Sequence, residues 1–514
     1  MSCRIGVCRI VGLLLLCLHA EAQSPIENLR KYNSFRERFN REFLYRTGDA
    51  SVQGSYLPME SRQMMPDGSV TAYWADGTWW LGHYVAMLAT EQARLKLEGD
   101  SVAALRTLEE LRQALRAYDR LDAWAEPCWG GDSCTNGFYL RDDIPAEMAE
   151  VLGVGRILSD YAQHCGDSQS LSNGPSQDQA WASFMGLALV QALTDDTLLH
   201  AQSASVARRL LKAMQYTDAK GSESWQVTNP VTGAVHQSSG DIQWLKYAHA
   251  RACELLTGDK VVFGNASSAA SKQLWGTIQQ VFTLDKKGHY NWYGVMALST
   301  VINEKGSDLS ACTCDWLVGK SQELARLRPD LQQPMLFPHF PLISLLLYPQ
   351  KPKSLPGASL YESILDTAPS GGAFRRYADG AWDTTPAPWN SLSLFCPWHL
   401  EEGDFNMLDY MLLYNLYRLV YAPEKPQPVV EYAPVRVNVF PNPTAGRLWL
   451  EFSGELQVNV CRLYDLQGRL LKQMELREKT TEIDLTEYAP GCYLLQLSDG
   501  NSRTAVVKVM KNNP

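Results

Sequence analysis

Apolar residues recur every three or four positions along most of residues 23–420, the signature of helices that bury one face. Leu105, Leu108, Leu111, Leu115 and Tyr118 form one stripe, and Leu81, Tyr84, Val85, Leu88 and Leu95 form another. Trp181, Phe184, Met185, Ala188 and Leu189 make a third. Further stripes run through Val206/Leu210/Met214, Leu245/Ala248/Ala252/Leu255 and Leu408/Met411/Leu412/Leu419. The pattern predicts about twelve helices, centred near residues 35, 88, 110, 186, 209, 249, 274, 297, 321, 343, 363 and 412. Short connections fall near 98–100, 195–203 and 258–266, and moderate ones near 304–314 and 349–359. Long ones fall near 45–78, 120–177, 217–240, 282–290, 328–337 and 367–403. Antiparallel hairpins place every second connection at the same end, so the long loops are expected to gather at one mouth. Six such hairpins describe an (α/α)6 toroid. Met148, Val151, Leu152, Ile157, Leu158 and Tyr161 also have helical spacing. Gly153 and Gly155 interrupt it, so a short helix within a long loop is expected there.

The texture changes after residue 420. Residues 421–434 carry four prolines, which fix φ and remove donors, and read as a stiff linker. Residues 435–514 then alternate with period two: Val435–Phe440, Leu448–Phe452, Val458–Tyr464, Thr481–Leu485, Gly491–Leu497 and Thr504–Met510. Turns such as Asn442-Pro-Thr-Ala-Gly446 and Asp499-Gly-Asn501 separate them, which predicts a small antiparallel, immunoglobulin-like β-sandwich.

Composition adds a few bounds. The 514 residues are 45% hydrophobic and 20% charged, with a formal net charge of −9 and no basic run, which argues against a nucleic acid partner. Residues 1–22 read as an export signal: Arg4 and Arg9, an apolar run from Val11 to Leu18, and a small-x-small site at Ala20-Glu21-Ala22. That run is too short for a permanent anchor, and no other segment is apolar enough to span a bilayer. Of the twelve cysteines, Cys3, Cys8 and Cys17 lie in the signal. Cys128 and Cys134 bracket a Gly-rich loop that a disulfide between them would close, whereas Cys312-x-Cys314 is too tight for a bridge. No His/Cys set has metal spacing. Neither a phosphate-binding Gly loop nor a nucleophile elbow occurs, so no cofactor is called for.

Candidate chemistry collects in the long loops. Asp76, Trp79, Trp80 and His83 enter the helix centred near 88, and Trp79 and His83, four apart, share a face. Tyr139, Arg141, Asp142 and Asp143 lie in the longest loop, and Asp178 and Trp181 open the helix centred near 186. Asp241 with Trp244, and His289 with Tyr290 and Trp292, open two more. Ser176 with Gln179 also has capping-box spacing, which gives Asp178 a plain helix-start role. Acids and aromatics converging on one mouth suit a carbohydrate. Hydrolysis of a glycosidic bond needs two carboxyl groups, ~6.5–9.5 Å apart for inversion. Asp143 and Asp178 are the expected pair, with the remaining residues as substrate contacts. Two other chemistries use the same residues. A polysaccharide lyase would draw on His289, Tyr290, Asn291 and Arg141, and a non-catalytic glycan-binding protein would use the aromatics alone.

Two resemblances sharpen these expectations. Phe440-Pro-Asn-Pro-Thr, Leu463-Tyr-Asp-Leu-Gln-Gly-Arg, Ala489-Pro-Gly-Cys-Tyr-Leu-Leu-Gln-Leu and the terminal Val-Val-Lys-Val-Met-Lys resemble the type A sorting domain of the type IX secretion system. That implies export to or beyond the outer surface of a Bacteroidetes-type bacterium, with the type IX machinery as partner. The Trp-Trp-Leu-Gly-x-Tyr helix after Asp76-Gly77, with Arg141-Asp-Asp-Ile-Pro and Ser176-Gln-Asp-Gln, is similar to segments of six-hairpin glycosidases. Unsaturated glucuronyl hydrolases are the nearest in style. This likeness covers about residues 45–420 and implies a toroid that cleaves an oligo- or polysaccharide.

Overall fold

The computed structural model describes residues 25–65, 68–74, 76–167, 174–217, 223–238, 256–258, 338–347, 356–366, 404–421, 436–453, 460–464, 470–476, 480–498 and 504–512, with isolated positions within 318–335 and at 368. The chain forms two compact units, Met1–Ala422 and Pro423–Pro514.

The first unit is built on helices. Helix α1 (Pro25–Arg38) continues into a single π turn, Phe39–Phe43. A long hairpin follows, α2 (Gly77–Glu98) and α3 (Ser101–Ala123). Gly99, at φ +85°, closes α2, and the Asp100 carboxylate opens α3 by accepting the Ala103 N–H at 3.0 Å. A second hairpin joins α6 (Gln177–Leu193) to α7 (Thr197–Ala213), with Asp196 capping α7 through the Leu198 and Leu199 N–H groups. Later come α8 (His339–Leu347), α9 (Ala358–Asp366) and α10 (Leu408–Tyr421). Two very short helices, α4 (Met148–Leu152) and α5 (Asp160–His164), lie in the long connection between α3 and α6. The expected short helix is α4, and Gly153 at φ +63° ends it. The expected helices near 249, 274 and 297 lie outside the described residues, and of the one near 321 residues 318, 319, 322, 323 and 326 are described and helical.

Helices α2 and α10 are buried on nearly every side, whereas α3 and α7 keep a wet face. An all-round apolar helix belongs in the interior. α2 and α6 cross at glycine. A Cβ on Gly82 would sit 2.4 Å from the Ala182 carbonyl carbon, and one on Gly186 would sit 2.4 Å from the Gly82 oxygen. α10 closes on α2 from far along the chain. Arg94 Nε donates to Asn415 Oδ1 at 2.8 Å, and the Arg94 guanidinium lies over the Tyr32 and Tyr414 rings.

The long loops do more than connect helices. β1 (Ser61–Met64), β2 (Val70–Tyr73), β3 (Arg156–Leu158) and β7 (Asp404–Phe405) form one sheet in the order β3-β2-β1-β7. β2 runs parallel to β3 and β1 antiparallel to both β2 and β7. Helical periodicity did not announce these strands, but they bind the segments before α2, before α6 and before α10 to one end of the unit. A second sheet, β4 (Gln215–Thr217), β5 (Glu223–Thr228) and β6 (Val235–Ser238), occupies the connection after α7.

The second unit is all β. One sheet has the order β11-β10-β13-β14, from Leu470–Glu475, Val460–Tyr464, Gly491–Ser498 and Thr504–Lys511. The other has the order β12-β9-β8, from Thr480–Asp484, Arg447–Ser453 and Arg436–Phe440. Alternate residues of both sheets, among them Leu448, Leu450, Leu463, Ile483, Leu495 and Val509, fill the core. Six of the seven strands match the alternating segments of the sequence. The seventh, β11, has no clean alternation (Leu-Leu-Lys-Gln-Met-Glu).

Candidate functional site

Two of the long connections, those before α2 and before α6, meet at the N-terminal ends of these helices. Asp76 stands at the N-cap of α2 without capping it. Its Oδ1 instead accepts Gln179 Nε2 at 3.0 Å, while Thr78 Oγ1 donates to Gln179 Oε1 at 2.9 Å. The first turns of α2 and α6 are thereby tied by a side-chain amide. Ser176 is the N-cap of α6 but makes no side-chain cap bond, so the expected capping box is replaced by this inter-helix bridge.

Arg141 lies across that bridge. Its carbonyl accepts the Thr78 N–H at 2.8 Å, and its Nε donates to the Gly174 carbonyl at 2.9 Å. Its Nη1 is 3.8 Å from Asp76 Oδ1 and 3.7 Å from Asp160 Oδ2. The side chains of Asp76, Arg141 and Asp160 are 40%, 21% and 10% exposed, so the group is graded from solvent into the protein. Asp160 opens α5, where Ser159 is the cap, its Oγ accepting the Ala162 N–H at 2.8 Å. Burial raises the Asp160 carboxyl to about 7; Arg141 opposes the shift and Asp76 adds to it. Asp160 Oδ2 makes no hydrogen bond. At neutral pH this acid is therefore divided between its protonated and ionised forms.

Behind it sits Asp142, fully buried, whose oxygens accept the Ile144 N–H at 3.0 Å and the Asp160 N–H at 2.7 Å. Burial, and then the neighbouring Asp160 charge, push its carboxyl well up. Asp142 organises the backbone that presents Asp160.

Asp143, expected as one of the reacting pair, sits in a buried ion pair. It is fully buried and held by two bonds from Arg120 of α3, Nε to Oδ2 at 2.6 Å and Nη2 to Oδ1 at 3.1 Å. Arg120 also donates to the Ala50 and Ser55 carbonyls. Asp143 is the counter-ion of a buried clamp joining α3 to two loops, with both oxygens occupied. Asp178 lies in the first turn of α6, one residue before Gln179; its side chain is outside the described residues.

The expected sugar-stacking aromatics divide as well. Trp79, Trp80, Trp181 and Tyr139 are buried in the core, because α2 and α6 are interior helices. His83 is buried with them. Its Nδ1 is 2.9 Å from the Trp79 carbonyl, which can only accept, so Nδ1 carries the proton. Burial lowers His83 to about 4 and keeps the ring neutral. All five are almost wholly buried. Asp241, Trp244, His289, Tyr290 and Trp292 lie outside the described residues. Sequence reasoning passed over Asp160, which looks like a helix-start acid after Ser159, and Trp129, half-buried against Phe138 and His236.

A disulfide frames this segment. Cys128 pairs with Cys165, so the closed loop contains Arg141, Asp142, Asp143 and Asp160. The expected partner, Cys134, is a free, exposed thiol. Among the described residues no three His, Cys, Asp or Glu side chains are placed to hold a metal ion, and no helix is long and apolar enough to cross a membrane.

No curated protein and no solved structure matches the chain. The family model described as "Secretion system C-terminal sorting domain" matches residues 438–512, the stretch from β8 through β14. The chain thus ends in a sorting domain of the type IX secretion system and is exported by that route to the cell surface or beyond.

Proposed function

We propose that the exported helical unit hydrolyses a glycosidic bond, with Asp160 as the general acid and Asp76 as the carboxylate that serves water or the sugar. The observation that carries this reading is the Asp160–Arg141–Asp76 arrangement: one carboxyl buried and raised to about 7, the other 40% exposed, both facing the same guanidinium nitrogen. A carboxyl that burial keeps partly protonated, beside a more exposed one, is an arrangement that can divide the roles of acid and base. The two ion-pair distances limit the Asp76–Asp160 oxygen separation to about 7.5 Å, a span that fits either the ~5–5.5 Å of retention or the lower range of inversion. In the forward step Asp160 gives its proton to the leaving oxygen while the Asp76 carboxylate draws a proton from water or attacks carbon directly. Arg141 holds both groups in place. Asp178, in the first turn of α6, remains the other candidate acid.

The same reading takes the unit as an (α/α)6 toroid. Interior α2 and α10 alternate with amphipathic α3 and α7, the last helix packs on the first hairpin, and one sheet joins the strands that precede α2, α6 and α10, all of which support it.

The test is reducing-end release from a broad glycan panel by the full-length protein. Asp160→Asn should lower turnover by about 10²–10⁴-fold, the usual worth of a general acid, while the melting midpoint holds or rises. Asp76→Asn should lower it as well. Wild-type turnover in Asp160→Asn removes the assignment, and binding without release by the wild type across the panel removes the hydrolase.

A further inference from the structure

The connection after α3 holds three cysteines, two paired and one spare, at very different spacings. Cys128 pairs with Cys165 at a sequence separation of 37, while Cys134, six residues after Cys128, keeps a free, exposed thiol. What brings each sulfur to Cys128 also differs. Cys128 lies in a single 3₁₀ turn, Glu126–Trp129, which Gly130 ends at φ +79°. The Gly131 N–H returns to the Glu126 carbonyl at 3.1 Å. Asn136 Nδ2 then donates to both Glu126 Oε1 at 2.7 Å and Cys134 Sγ at 3.0 Å. One amide thus ties the spare sulfur to a side chain two residues from Cys128, by bonds within one short loop.

Cys165 arrives by tertiary structure. It is the C-cap of α5, which is held by Ser159 Oγ donating to the Ile144 carbonyl at 2.7 Å and the Asp160 N–H donating to Asp142 Oδ2 at 2.7 Å. Gly166 then passes so close that a Cβ on it would lie 2.9 Å from the Cys128 oxygen. These contacts exist only once the connection has folded. By chain entropy a ring of separation six closes about fifteen times more readily than one of 37. Export takes the chain through compartments where disulfides form. Six further cysteines after Cys165 compete for Cys128 there: Cys253, Cys312, Cys314, Cys396, Cys461 and Cys492.

We propose that Cys134 is the first partner of Cys128, a placeholder that keeps Cys128 from those six thiols until Cys165 displaces it. First, a disulfide-bearing oxidant takes two electrons and two protons from Cys128 and Cys134, and their S–S bond forms. As α5 docks, the Cys165 thiolate attacks Cys128 Sγ. The Cys128–Cys134 bond breaks, its electron pair leaves with the Cys134 sulfur, and that sulfur takes a proton from water. The exchange needs no further oxidant. In the folded loop, desolvation and then the Glu126 and Asp122 carboxylates raise the Cys134 thiol above its ordinary value. Cys134 therefore keeps its proton, and its return attack on Cys128 is slowed, because the thiolate is the nucleophile. The relay works whatever the helical unit binds, and its test needs no glycan.

The full-length protein, reduced and unfolded, is refolded with oxidised and reduced glutathione, quenched in acid at intervals and mapped for disulfide-linked peptides. The Cys128–Cys134 ring should lead Cys128–Cys165 early by at least fivefold. It should then decay as the native pair grows, at a rate independent of protein concentration. Cys134→Ser should raise the share of Cys128 found in other linkages at least threefold, while its correctly paired fraction melts with wild type. Where the chain does not refold from denaturant, the same map on newly exported protein from the producing bacterium carries the test. Direct formation of Cys128–Cys165 with no earlier ring overturns the proposal. So does a ring that persists without converting, or correct pairing of Cys134→Ser at wild-type yield.

Discussion

The clearest perturbation is at Arg120 and Asp143, where an acid expected in the chemistry is held in a buried clamp. Arg120 is almost fully buried and Asp143 wholly so, with two charge-assisted bonds between them. Arg120→Met leaves the Asp143 charge without its partner, and also deprives the Ala50 and Ser55 carbonyls of their donor. Breaking a buried pair from one side costs about 3–5 kcal/mol, and each abandoned buried acceptor adds to that. At ~2 °C per kcal/mol for a unit of this size, the melting midpoint of the helical unit should fall by about 6–10 °C.

Asp143→Asn should also destabilise, because Arg120 keeps its charge and loses the compensating one. The double variant Arg120→Met with Asp143→Leu removes both charges together and should recover much of the loss, since apolar replacement of a buried pair is often neutral. The assay is thermal unfolding of the full-length protein followed by near-ultraviolet circular dichroism. A coupling of several kcal/mol across the four proteins is expected. Folded Asp143→Asn should retain its turnover per molecule. An Asp143→Asn protein that melts within about 1 °C of wild type yet has lost glycan cleavage would refute the clamp and return Asp143 to the chemistry.

Three further outcomes follow from the same coordinates. Asp160 titrates at about 7 when folded against an ordinary 3.8, so between these values the folded state holds a proton that the unfolded chain releases. Stability from this group therefore falls as pH rises through that window, by on the order of a few kcal/mol in all. Urea midpoints of wild type and Asp160→Asn should diverge between pH 4 and 7 and run parallel above it; a constant difference contradicts a neutral Asp160. Reduction of Cys128–Cys165, or its replacement by serines, frees a loop of sequence separation 37, worth ~4 kcal/mol by chain entropy. Amide exchange should quicken across 141–164, whereas Cys134→Ser should change nothing. Gly82→Ala gains helix propensity but drives a methyl to 2.4 Å from the Ala182 backbone, so calorimetry should find a net loss of about 1–3 kcal/mol.

What the sequence revealed, and what it hid, divides along the range of the forces involved. The α2, α3, α6, α7 and α10 stripes are local patterns, and each emerges as a helix at its expected place. The gathering of long loops follows from parity alone, and β1, β2, β3 and β7 now bind three of them together. Those strands were invisible because two to four residues carry no period that stands above a loop. The burial of the aromatics at the helix starts was hidden for a related reason. Trp79, Trp80 and Trp181 are correctly placed along the chain, but whether a helix is interior depends on what surrounds it, and α2 and α6 are surrounded. The two acids separate most sharply. Asp143 and Asp160 are the same residue type in the same disulfide-closed loop, and neither has a sequence neighbour that predicts its state. Arg120, on the preceding helix, meets Asp143 at 2.6 Å and occupies it, whereas the nearest guanidinium nitrogen to Asp160 Oδ2 stands 3.7 Å away, shared with Asp76. An ångström of difference in the reach of an arginine decides which carboxyl is structural and which is left able to exchange a proton.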